Sequence, residues 1–283
     1  MDCGNDYIFI DNLNNKIANN IDYSKLAIKI SNRNFGVGAD GLVIINKDEK
    51  ADCYMKMYNN DGSEGNMCGN AIRCISKYVY ETYKKDNNIN QVLINTKSGI
   101  KVTRVYLEDG CVKNVKVNMG VPVFDICKIP VKLDSVKEVL NNEINIDGHK
   151  FNMTCVSMGN PHAVCVLDNN IKLESLDIEK IGKKIQSLAI FPNSVNVEFV
   201  KILDKKTVKM YVYERGTGRT LACGTGACAT VAGLIKNNYL NYDEDIEVIL
   251  EGGILNIKCE SATNNIYMTG TAEINFKGEY EYE

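Results

Sequence analysis

The chain has 283 residues, 45% hydrophobic and 24% charged with only four prolines, which suits a globular protein with a sizeable core and excludes disordered, collagen-like and coiled-coil classes. With 33 basic residues against 36 acidic ones the net charge is −3, so there is no basic surface to hold nucleic acid or anionic lipid. The longest charge-free stretches, 151–167 and 220–235, fall short of the roughly 20 apolar residues of a membrane span. No transmembrane helix, no membrane partner and no nucleic-acid partner are expected.

The opening segment Met1-Asp2-Cys3-Gly4-Asn5-Asp6 has neither a basic nor an apolar stretch, which predicts no signal peptide and a cytoplasmic protein. Eleven cysteines, an odd number without secretory context, predict thiols rather than a disulfide framework, most of them buried. Cys68/Cys74 and Cys223/Cys228 are the closest pairs, wider apart than the about two to four residues usual between paired zinc ligands. His149 and His162 are the only histidines, and no metal is expected.

In chain order, Leu42–Ile45, Tyr54–Tyr58 and Gln91–Ile94 are short apolar or alternating runs bounded by Gly, Asn or Asp and predict strands. Between the last two, Ile72, Ile75, Val79 and Tyr83 keep a helical period from Asn70 until Lys84-Lys85-Asp86. Val112–Val117 and Thr207–Tyr213 predict further strands, and Thr225 to Lys236 a second helix. That helix is apolar on all sides, so it should run through a shell of strands.

A repeat underlies this order. Met67-Cys68-Gly69-Asn70-Ala71 is echoed by Ala222-Cys223-Gly224-Thr225-Gly226, and Gly4-Asn5-Asp6 by Gly159-Asn160-Pro161, at one offset (223 − 68 = 155; 160 − 5 = 155). The run Gly41–Ile45 falls on Asn196–Val200 at the same offset. Two related α+β halves are the simplest account, each of ordinary domain size.

Each repeated cysteine stands in a glycine-rich turn just before a helix. The unpaired amides and positive dipole end of a helix start favour a thiolate and also receive a carboxylate, so Cys68 and Cys223 are expected to have lowered pKa values. Moving an α-proton from one face of an amino acid to the other needs two acid–base groups on opposite sides of one carbon, with fixed donors for the enolate-like carboxylate. Two thiols beside helix-start amides answer both needs. Cys74 and Cys228 lie deeper in the helices and read as structural.

The segments Asn59-Asn-Asp-Gly-Ser-Glu-Gly-Asn-Met-Cys-Gly-Asn-Ala-Ile-Arg-Cys74, Met158-Gly-Asn-Pro-His162 and Glu214-Arg-Gly-Thr-Gly-Arg-Thr-Leu-Ala-Cys-Gly-Thr-Gly-Ala-Cys228 resemble the signatures of the diaminopimelate epimerase family. The likeness runs nearly end to end, through Asn32–Asp40 and Tyr267–Gly270. It implies a pyridoxal-phosphate-independent isomerase, without cofactor or metal, that interconverts LL- and meso-diaminopimelate for lysine and peptidoglycan precursors. It implies two pseudo-symmetric domains, 1–117 completed by 268–283 and 118–267, each a strand barrel around a central helix, with the site in the cleft between them.

By the same resemblance Cys68 and Cys223 are the acid–base pair. Main-chain amides of Gly69, Asn70, Gly224 and Thr225 take the reacting carboxylate, and Asn59, Asn160, Asn196 and Arg215 the distal one. Asn5 and Glu214 lie near the amino group, while Glu214 and His162 set the thiol protonation states. Family members often dimerise, so a homodimer is among the implied assemblies. On context alone the blander readings stand beside these: a structural His162, turn chemistry at Asn59 and a solvated Glu214-Arg215 pair.

Arg219 stands where Glu is common in the family, a reversal expected to lower the Cys223 pKa further and to bear on substrate choice. Gly41 replaces the Gln of some members and Ala71 a frequent Gly, both as tolerated variation, and the segment before Gly4 is short. Three alternatives remain at this point: a two-thiol epimerase for another amino acid such as histidine or lanthionine, a thiol–disulfide redox protein, and a non-catalytic amino-acid binder.

Overall fold

Leu42, Val43, Ile44 and Ile45 are all fully buried, as they must be in a strand covered on both faces. In the computed structural model, residues 3–15, 17, 21–85, 89–134, 136–168 and 170–282 are described; Met1 and Asp2 of the opening segment, and Asp86 at the expected end of the first helix, lie outside them. The chain divides into two compact units, Met1–Val117 with Thr269–Glu283, and Asn118–Met268.

The first unit runs β1 (Tyr7–Asn12), α1 (Tyr23–Ser31), β2 (Gly41–Asn46), β3 (Cys53–Asn59), β4 (Glu64–Gly65), α2 (Gly69–Val79), β5 (Gln91–Asn95), β6 (Lys101–Glu108) and β7 (Cys111–Gly120), the last of which ends in residues counted with the second unit. β1 pairs in parallel with β2, β2 antiparallel with β3, and β3 in parallel with β5, from which β6 and β7 continue antiparallel. Asp22 caps α1 by accepting the Lys25 N–H, and Leu26, Ala27 and Ile30 carry its apolar stripe onto Leu42, Ile44 and Tyr58. The side chains alternating with these, Val43 and Ile45, point to the opposite face of β2. α2 packs on β5 and β6, where the Ser76 hydroxyl donates to Thr103, whose own hydroxyl donates to the Val92 carbonyl. A π-helical turn, Tyr80–Lys84, follows α2 directly.

The second unit runs β8 (Asn142–Ile146), β9 (His149–Ser157), β10 (Pro161–Leu167), α3 (Ile178–Gln186), β11 (Asn196–Ile202), β12 (Thr207–Glu214), β13 (Gly218–Thr220), α4 (Gly224–Lys236), β14 (Asp245–Leu250), β15 (Gly253–Cys259) and β16 (Ile266–Thr271), the last of which ends in residues counted with the first unit. The strands follow the order β8-β9-β10-β11-β12-β14-β15, with β13 on β12. Every residue of α4 from Gly226 to Ile235 is buried, and the helix packs against β9, β10, β11 and β15. The all-round apolarity of this segment thus has its cause in strands on several sides. α3 covers the outer face with Ile178, Ile181 and Ile185 in a core that includes Phe151, Val197 and Phe199.

The five runs expected as strands are strands, and both expected helices are present. The repeat extends further than its echoes. Tyr7 pairs with Gly41 and Leu42 with Tyr58 in the first unit; His162 pairs with Asn196 and Val197 with Tyr213 in the second, each residue at the same offset from its counterpart. α1 and α3, which the hydrophobic pattern did not announce, are also counterparts.

α3 approaches β12 through Gly182, where a Cβ would lie 2.5 Å from Cγ of the Tyr213 ring. Gly182→Ala should therefore overpack this contact and lose up to about 2 kcal/mol of stability, after allowing for the ~1 kcal/mol an alanine gains in a helix. Urea unfolding followed by circular dichroism checks this; a gain in stability would mean that the ring moves aside freely.

Candidate active site

In the first unit Cys68 is the extended residue before α2, half-buried, and Gly69 and Asn70 behind it are buried. Asn70 donates its amide N–H to Asn5 Oδ1 and accepts at Oδ1 from Arg73 Nη2 at 2.9 Å. Arg73 is fully buried and also donates to the Thr271 carbonyl at 3.2 Å. Asn5 donates in turn to Asp40 Oδ2 at 3.3 Å. Arg33 forks onto both Asp6 oxygens at 2.9 and 2.8 Å and reaches Asp40 Oδ1 at 2.9 Å, so one guanidinium ties the strand entering at Asp6 to the start of β2. Asn59 is exposed at the end of β3, where its Nδ2 donates to Ser63 Oγ at 2.9 Å across a tight turn. That contact is the turn chemistry its context predicted.

In the second unit Cys223 is the extended residue before α4 and is 6% exposed. Its sulfur accepts the Gly226 N–H at 3.3 Å and lies 3.4 Å from Thr225 Oγ1. Asn160 donates to the same Thr225 oxygen at 3.3 Å, and its Oδ1 lies 3.0 Å from His162 Nε2. On the other side of the ring, Nδ1 lies 2.6 Å from Glu198 Oε1, with both side chains fully buried. Buried Asn196 donates to the Pro161 carbonyl at 3.0 Å and accepts the Arg215 backbone N–H at 2.9 Å. The Arg215 guanidinium is exposed and, among the described residues, donates to the Asn193 carbonyl at 3.4 Å. Glu214 accepts from Thr220 and hydrogen-bonds Cys223.

Two expectations are corrected. Burial, reinforced by the neighbouring Glu214 and Glu198, pushes the Cys223 thiol well above the ordinary thiol range, and the Thr225 and Gly226 hydrogen bonds do not reverse this. At Cys223 burial works against the thiolate that its helix-start position suggested. Arg219 does not act on Cys223 either: its guanidinium is taken up by Glu251 at 2.6 Å and lies over the Tyr211 ring. Burial also raises Glu214, against the hydrogen bonds from Thr220 and Cys223. Cys74 is buried and likewise raised, in keeping with a structural role.

Asn5 and Asn70 are thus joined in one cluster beside Cys68, with Gly69 next to it in the chain. Glu214, Asn160, His162, Cys223 and Thr225 form a second cluster, and Asn196 ties into it through Pro161 and Arg215. Glu198 was missed. Its signal was a lone charge in the otherwise apolar run Val197-Glu198-Phe199-Val200, where burial demands a partner.

The sequence profile of a family described as Diaminopimelate epimerase matches residues 1–124 and 154–275. Among curated relatives, a diaminopimelate epimerase of Acetivibrio thermocellus is 44% identical over 279 residues, covering 98% of this chain and 95% of the relative. One of Carboxydothermus hydrogenoformans is 46% identical over 278 residues, covering 98% and 96%. Solved structures share the fold at much lower identity. A hydroxyproline epimerase from Agrobacterium vitis superposes with a TM-score of 0.61 at 14% identity, covering 86% of this chain and 75% of its own. A phenazine biosynthesis protein of the PhzF family from Bacillus anthracis gives 0.60 at 16%, covering 95% and 91%.

Two outcomes follow from the site electrostatics. Hydrogen bonds from Arg33 hold the Asp6 carboxyl below its usual range, whereas in the unfolded chain it titrates near about 3.9. A lowered folded value gives stabilisation that is complete above the unfolded value and disappears as pH falls through the folded one. Unfolding free energies of wild type and Asp6→Asn should differ at neutral pH and converge in acid; a constant gap would contradict the assignment. Timed alkylation mapped by mass spectrometry should label exposed Cys111 and Cys127 before Cys223, and a fast-reacting Cys223 would restore the thiolate expectation.

Proposed function

The chain belongs to the diaminopimelate epimerase family, and on that footing we propose that Cys68 and Cys223 are the acid–base pair that removes the α-hydrogen from one face of the substrate and returns one to the other. Its activity is that of an isomerase, the interconversion of LL- and meso-diaminopimelate. The observation that carries the two-thiol reading is the placement of both cysteines, one in each unit, at the residue before a helix whose first glycine is buried.

The chemistry asks a weak carbon acid to give up its proton. A thiol kept protonated by burial is a stable proton donor, and once deprotonated its sulfur is a correspondingly strong base. Cys223 has that character. Helix-start amides at Gly69, Asn70, Gly224 and Thr225 are the donors for the reacting carboxylate, whose oxygens gain charge as the proton leaves. Asn59, Asn160, Asn196 and Arg215 hold the distal carboxylate, the Arg215 guanidinium being exposed and able to grip it with two parallel N–H groups. Asn5 and Glu214 receive the amino group, and Glu214 and His162 tune the thiols. The substrate is a small diacid, with no cofactor, metal or nucleic acid, in a cytoplasmic protein for which a homodimer is among the assemblies the family implies. Among the described residues no helix is long and apolar enough to cross a membrane.

Proton NMR of the reduced enzyme with LL-diaminopimelate in heavy water, without added cofactor, tests this. Wild type should place deuterium at the α-carbon and yield meso product. Cys68→Ser and Cys223→Ser should each lower epimerisation by roughly a hundredfold or more, with far-UV circular dichroism unchanged. A folded single variant at near-normal rate would remove that cysteine from the pair.

A further inference from the structure

Four contacts within the second unit join a buried carboxyl group to the Cys223 sulfur. Glu198 Oε1 lies 2.6 Å from His162 Nδ1; Nε2 of the ring lies 3.0 Å from Asn160 Oδ1; Asn160 Nδ2 donates to Thr225 Oγ1 at 3.3 Å; and Oγ1 lies 3.4 Å from Sγ. The hydrogens along this chain are constrained. An amide oxygen only accepts, so with Asn160 in this orientation Nε2 carries the hydrogen between them. The Asn160 amide then faces Thr225, whose oxygen accepts there and keeps its single hydrogen available for the sulfur.

That sense depends on a further proton. A neutral imidazole has one N–H, and if it sat on Nδ1 toward a carboxylate, Nε2 would turn a lone pair on Asn160 Oδ1. The amide would have to turn over and the Thr225 hydrogen would leave the sulfur. With one more proton between Oε1 and Nδ1, whether nearer the oxygen or the nitrogen, Nε2–H is kept. We propose that Glu198 is a positioning residue for the Cys223 step, holding this proton with His162 and so keeping the Asn160–Thr225 relay pointed at the sulfur.

Two other observations fit this role. Among the described residues Glu198 Oε2 is buried without a hydrogen-bond partner, a costly arrangement for a carboxyl kept only for packing. A Cβ on Gly226 would fall 2.7 Å from Glu198 Oε1, so α4 leaves the carboxyl room by having glycine there. Among the described residues, the other ionisable groups facing Glu198 are Cys165 of β10, Glu214 of β12 and Cys223 itself. The inference rests on the assignment of Cys223 as an acid–base group, but its first test does not.

The chain has two histidines, so the ring nitrogens of His162 can be followed by NMR of ¹⁵N-histidine-labelled protein, with His162→Gln providing the assignment. Wild-type Nε2 should be protonated throughout the pH range of activity. In Glu198→Gln the neutral amide accommodates either ring tautomer, so the Nε2 signal should move part-way toward the unprotonated position. Epimerisation kcat should fall roughly tenfold, less than the hundredfold a positioned acid–base group itself contributes, with KM within about twofold. Combined with Thr225→Val, which cuts the relay nearer the sulfur, Glu198→Gln should add less than about a twofold further loss. An unprotonated Nε2 in wild type, a lowered kcat with Nε2 unchanged, or losses that simply multiply in the double variant would each overturn the proposal. A fully active Cys223→Ser would instead overturn the acid–base assignment and leave the ring-nitrogen result standing.

Discussion

The first N–H groups of α4 have no carbonyl in their own helix to bind, and Cys223 answers one of them with its sulfur. Much of the second unit follows from where that start is placed. α4 carries apolar residues on every side, so strands must cover it on several faces, and the chain leaving the β12–β13 hairpin then delivers Cys223 to a place where little of it is exposed. A sulfur in such a place is held as a thiol, because burying its charge, beside Glu214 and Glu198, costs more than the hydrogen bonds from Thr225 and Gly226 return. The same desolvation explains why each nearby polar atom matters, since there is little solvent to stand in for a lost partner.

The duplicated halves have diverged around this arrangement. Asn5 touches Asn70 in the first unit as Asn160 touches Thr225 in the second, and these pairs are counterparts at the repeat offset. Behind them the halves differ. His162 and Glu198 stand where the first unit has Tyr7 and Val43. The first unit instead secures its cluster with buried Arg73 and with Arg33 bridging Asp6 and Asp40. A strand register can be inherited unchanged while its buried pairs are exchanged, because the ladder is made by backbone groups and the pairs are matched only to each other.

Motifs in which chemistry and turn geometry coincide were legible in the sequence: glycine beside cysteine before an apolar helix, and asparagine beside glycine before an apolar strand. α1 and α3 were not, since each is nine residues long and its stripe is easily lost among short apolar runs. Glu198 escaped because burial, not identity, makes a glutamate noteworthy, and a lone acidic residue in a strand gives no sign of which face it takes. The thiolate expectation for Cys223 failed for the same reason: helix position can be read along the chain, whereas desolvation depends on segments distant in sequence.

Residue order alone was enough for the duplication, the two cysteines at helix starts and the kinship with diaminopimelate epimerases, because these rest on local pattern and on motif length. The protonation of Cys223, the capture of Arg219 by Glu251 and the chain of contacts from Glu198 to the sulfur required the folded chain. Each is set by distances between groups far apart in sequence and by how much water the packed strands exclude, and neither quantity is written in any single segment.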